Sequence, residues 1–67
     1  MKIILNNNVE EFEGDKLSVS RIMEIKKFTF KMLVVKLNGA IVYKNDFDTT
    51  LVQDGDNLTI LHLISGG

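Results

Sequence analysis

Residues 33–43 read LVVKLNGAIVY. Two β-prone runs flank Asn38-Gly39, and both of those residues tolerate positive φ. That is what a two-residue hairpin turn requires, because its twist must match the strands on either side. The stretch therefore predicts a strand over Met32 to Leu37, with Leu33, Val35 and Leu37 on one face, and a strand returning along AIVY. A lone hairpin is marginal in water, so its apolar face needs further strands or a helix. The whole chain must supply them within 67 residues. One domain over residues 1–67 is expected, burying only about 60% of its unfolded surface. The sequence contains no cysteine, so neither disulfides nor thiolate metal sites can reinforce it.

The remaining segments fit around that hairpin. Lys2 to Asn6 carries a compact apolar run and predicts a strand. Asn6-Asn7-Asn8 marks a turn, since asparagine accepts left-handed backbone geometry. Val9 to Glu13 predicts the returning strand, closed by Gly14-Asp15. Ser18 is placed to cap a helix from Val19 to Lys27. In that helix Val19, Ile22, Met23 and Lys26 share one face, and Ile25 lies off it. Phe28 to Lys31 is expected as a connector whose aromatics cover one edge of the core. Asn45 to Thr50 is polar around a single apolar residue, Phe47. Asp54-Gly55-Asp56-Asn57 predicts a tight turn before a last strand, Leu58 to Ile64. The order strand, strand, helix, strand, strand, strand predicts an α+β domain. Its helix packs on one face of a mixed sheet. The last strand would lie beside the first, and the other face of the sheet would stay partly open to water or to a partner.

The charge balance narrows the function. Eight basic and nine acidic residues give a net charge of −1. A nucleic-acid binder would normally show a strong basic excess. No apolar run approaches the roughly 20 residues that span a bilayer. The opening MKIILNNNVEE holds too short an apolar stretch for a signal peptide. A cytoplasmic protein without membrane contact is expected.

Few residues suggest chemistry. His62 is the only histidine, and without a second ligand or a nucleophile beside it the expected role is a surface residue. Asp54-Gly55-Asp56-Asn57 resembles part of a calcium loop but lacks the spacing and closing glutamate of one. A structural turn is the expectation, with no metal. Alternation along the last strand separates Thr59, Leu61 and Leu63 from Leu58, Ile60, His62 and Ile64. With Leu61 and Leu63 assigned to the core, Leu58, Ile60, His62 and Ile64 would form an exposed patch for a partner, since exposed apolar patches mark interaction sites.

The chain closes on Ser65-Gly66-Gly67. Glycine has no Cβ, so two in succession can thread a channel too narrow for any side chain. Three extended residues reach about 10 Å past a strand, enough to place a terminal carboxylate in another protein's active site. Two readings of this tail stay open: a reacting terminus, or a frayed end without function.

VQDGDNLTILHLISGG, residues 52–67, resembles the C-terminal signature of the ThiS family, the sulfur carriers of thiamine biosynthesis. MLVVKLNGAIVYKNDF, residues 32–47, resembles the same family's strand, turn and strand. The resemblance implies a ubiquitin-like β-grasp: a mixed four- to five-stranded sheet on one helix, with a flexible Gly-Gly tail at residues 65–67. It implies a carrier and not an enzyme. A ThiF-like partner would use ATP to adenylate Gly67, with Gly66 giving clearance behind it. Sulfur from a persulfide donor would then yield a thiocarboxylate, used by a ThiG-like thiazole synthase. The family's docking surface would fall on Ile60, His62, Ile64 and Ser65. No cofactor would be bound by the chain itself. Two alternatives share the fold: a MoaD-like carrier for molybdopterin synthesis, and a ubiquitin-like binding module whose tail carries no chemistry.

Overall fold

The computed structural model describes residues 1–29 and 32–63. Within them the chain runs β1 (Lys2–Leu5), β2 (Asn8–Glu11), β3 (Lys16–Ser18), α1 (Val19–Lys26), β4 (Leu33–Leu37), β5 (Ala40–Val42), a 3-10 turn (Lys44–Asp46), β6 (Leu51–Gln53) and β7 (Asn57–His62). Five strands form one sheet in the order β2-β1-β7-β4-β5, and β3 pairs with β6 in a small second sheet. The last strand does lie beside the first, in parallel, with Ile4 opposite Asn57 and Leu5 opposite Leu58. The α+β, β-grasp expectation is met: a mixed sheet carrying a single helix.

Two asparagine turns set the registers. Asn38 (φ 51) and Gly39 (φ 86) make the expected two-residue loop, with Leu37 opposite Ala40. Asn6 (φ 50) and Asn7 (φ 69) make a second, with Leu5 opposite Asn8. Positive φ at both central residues is the geometry whose twist fits a hairpin.

The helix begins where expected. Ser18 is extended, and its Oγ accepts from the backbone N–H of Arg21 at 3.0 Å. This satisfies one of the donors orphaned at a helix start. The helix ends at Lys27, which takes the left-handed conformation (φ 60) and donates its N–H to Glu24 O at 3.1 Å. Phe28 N–H then reaches back to Met23 O at 2.8 Å, a closure that usually employs glycine. Val19 and Ile22 of α1 are fully buried. They join Ile3, Leu5, Phe12, Val35, Val52, Leu58 and Ile60 in one core, against which Phe28 and Phe47 pack. Ile25 is exposed, as its place off the helical stripe predicted.

The β3–β6 pair was not anticipated. Each strand has only three residues, too short for periodicity to register. It nonetheless buries Val52 completely and runs Ser18 straight into the helix cap.

β7 corrects one expectation. Leu58 and Ile60 face the core, at 0% and 5% exposure, while Leu61 and Leu63 are about half exposed at 51% and 45%. The predicted inside and outside of this strand are therefore exchanged. Cross-strand partners fix the sense: Leu58 lies opposite Leu5 and Leu37, and Ile60 opposite Val35, all on the face that α1 covers. Strand side chains alternate strictly, so fixing one residue fixes the rest. Ile60 consequently belongs to the core, not to an exposed patch.

Candidate functional site: the bare face of the sheet

The helix covers one side of the sheet, and the register shows what remains on the other. Ile4 stands opposite Val9 across β1 and β2, and Val34 opposite Leu61 across β4 and β7. Lys36 lies between Thr59 and Ile41. Ile4, Val9, Ile41 and Leu61 are all exposed. Apolar side chains on one open sheet face, with lysines among them, are what a protein-docking surface requires. Sequence reading foresaw an open face but placed the wrong β7 residues on it. The signal that separates them is the pairing with β1 and β4, which no alternation within β7 contains.

Of the residues expected at the docking site, His62 is exposed at the end of β7, opposite Leu33. Ile60 is beneath the sheet. Ile64, Ser65, Gly66 and Gly67 lie outside the described residues. The last described position, Leu63, donates its N–H to Met32 O at 3.0 Å. Beside it an apolar recess of about 720 Å³ opens, lined by Met23, Phe28, Leu33, Val42, Phe47 and Leu63 among others.

The acidic turn is structural in its contacts. Asp54 Oδ1 accepts from Lys2 N at 2.7 Å. Asp56 accepts from Asn38 Nδ2 at 3.0 Å and Gln53 N at 2.9 Å. Asn38 Oδ1 in turn accepts from Asn57 N at 2.8 Å. Asp54 thus ties the turn to the start of β1, and Asp56 ties it to the β4–β5 turn. Among the described residues, no group of three or more His, Cys, Asp or Glu is arranged to hold a metal ion. No described helix is long and apolar enough to cross a membrane.

The pattern of the ThiS family matches residues 3–67. The chain belongs to the ThiS family. That membership carries a sulfur-carrier role, in agreement with the resemblance in residues 52–67 and 32–47. The crystal structure of a thiamine biosynthesis protein (ThiS) from Geobacter metallireducens superposes with a TM-score of 0.87 at 29% identity, covering 100% of both chains. An NMR solution structure of a thiamine biosynthesis protein from the same organism gives 0.80 at 29% identity, covering 100% of this chain and 88% of that one. No protein of curated function matches the sequence significantly.

Proposed function

We propose that this ThiS-family chain is a protein cosubstrate that delivers sulfur to thiazole formation in thiamine biosynthesis, with the carboxyl of Gly67 as its reacting group. The observation that carries the reading is a family match running through the Gly-Gly terminus. The terminus lies five residues beyond the end of β7, at His62. A Gly67 carboxylate oxygen attacks the α-phosphorus of ATP on a ThiF-like partner, and pyrophosphate leaves. A persulfide sulfur then attacks the acyl carbon and AMP leaves. A thiol then attacks the donor's inner sulfur, forming a disulfide with the donor and breaking the S–S bond, so the outer sulfur stays on the carrier as the thiocarboxylate. A ThiG-like synthase consumes it. ATP and the catalytic groups belong to the partners, and the chain needs no cofactor of its own. It works where those partners work, in the cytoplasm.

The division of labour is physical. The bare face of the sheet, centred on Ile41 and Leu61, supplies affinity. The tail supplies reach, and Gly66 supplies clearance. ATP–pyrophosphate exchange with the activating partner tests this. A Gly66→Trp variant should keep the wild-type melting temperature and lose exchange by at least about 100-fold, the scale of a misplaced reacting group. Wild-type exchange by that variant would remove the tail from the reaction and favour the binding-module reading.

A further inference from the structure

Strand β1 stops pairing with β7 in an unusual manner. The parallel ladder runs through Ile4–Asn57 and Leu5–Leu58, and Asn6 N–H adds a bond to Leu58 O at 3.0 Å. At Asn6 the backbone turns away into the β1–β2 loop, with φ 50. Its side chain does not turn away. Asn6 Nδ2 donates to Ile60 O at 3.1 Å, and Asn6 Oδ1 accepts from Ile60 N–H at 2.8 Å. A primary carboxamide presents one donor and one acceptor side by side, as a peptide unit does. Asn6 thus continues the ladder by one further pair after its own strand has left the sheet.

We infer that Asn6 is a positioning residue for the sulfur-transfer reaction: its carboxamide clasps Ile60 and fixes where β7 delivers the tail. This rests on the proposed role of Gly67. The clasp lies two residues along β7 from the last β1–β7 ladder pair, Leu5–Leu58. Past Ile60, Leu61 and His62 pair with β4, and Leu63 N–H bonds Met32 O. Gly67 lies seven residues beyond Ile60 in the sequence. A strand slip of two residues, the smallest that keeps Leu58 and Ile60 facing inward, would displace the terminus by about 7 Å. Reacting atoms must approach within about 3.5 Å, so such a slip disables the tail.

The Asn6→Gly variant tests this cleanly, since glycine accepts positive φ and preserves the turn while removing the amide. Ile60 amide exchange should accelerate about tenfold, the size expected of two net hydrogen bonds. In thiocarboxylate formation with the activating partner, kcat should fall about tenfold while KM for the carrier stays within about twofold, because docking and delivery are separate. Asn6→Asp keeps the shape but turns an acceptor toward the Ile60 carbonyl, and kcat should fall at least as far. Val52→Ala, buried in the β3–β6 pair away from the tail, serves as a destabilised control whose kcat should hold. A wild-type kcat in Asn6→Gly, or an equal loss in Val52→Ala, overturns the role of Asn6 and leaves the carrier reading standing. Failure of the unmodified protein to form a thiocarboxylate overturns both.

Discussion

The two faces of the main sheet are built from the same strands and do opposite work. On the inner face, Ile3, Leu5, Val35, Leu58 and Ile60 are closed off by Val19 and Ile22 of the helix. On the outer face, Ile4, Val9, Ile41 and Leu61 are equally apolar, and no element among the described residues covers them. A domain this small buries barely enough surface to fold. Leaving four large apolar side chains in water forgoes stability that a covering helix would have supplied. The difference teaches that stability and recognition have been assigned to alternate residues of single strands. In β7 they are neighbours: Ile60 holds the fold and Leu61 stands on the exposed face proposed for docking.

Mutations in adjacent positions can break that separation. The largest effect is expected at Ile60→Ala, which should cost about 2–5 kcal/mol of unfolding free energy in urea titrations, the range for a buried isoleucine. A cost below about 0.5 kcal/mol would mean that the strand's faces are assigned the wrong way. Next comes Leu61→Ala, which should leave stability within about 0.5 kcal/mol and weaken binding of the activating partner about tenfold or more. Isothermal titration calorimetry checks it, and unchanged affinity would place the docking surface elsewhere. The smallest effect sharpens the inner face alone. Lys27 caps the helix with φ 60, a conformation that costs a residue with a side chain. Lys27→Gly should raise stability by about 0.5–1 kcal/mol in thermal melts without altering partner affinity. Destabilisation there would show that the lysine side chain contributes more than its backbone strain removes.

How much of this was legible depended on whether the determining contact was local. The Asn38-Gly39 hairpin, the Ser18 cap and the helical stripe of Val19 and Ile22 were all readable, because each is set by residues within one turn or one loop. The last strand was located correctly, but its orientation was not. Its polar residues, Thr59 and His62, fall one on each face, so alternation gave no inside and outside. The choice is made by Leu5 and Val35, far away in sequence. The β3–β6 pair left no signal because three residues make no period. The Asn6 clasp left only a turn signal, since a side chain that imitates backbone for a partner 54 residues away produces no pattern in its own neighbourhood. The family resemblance reached the function through residues 52–67, whose C-terminal four the structure does not describe.

The central claim is that sulfur is carried on Gly67, and the absence of cysteine makes it directly measurable. The protein is incubated with the activating partner, ATP and a sulfide source, then treated with a thiol-selective alkylating reagent and weighed intact. The account predicts a single ATP-dependent alkylation that maps to Gly67, since a terminal thiocarboxylate would be the chain's sole reactive sulfur nucleophile. An unlabelled chain, beside an activating enzyme shown to thiocarboxylate another carrier, would contradict it.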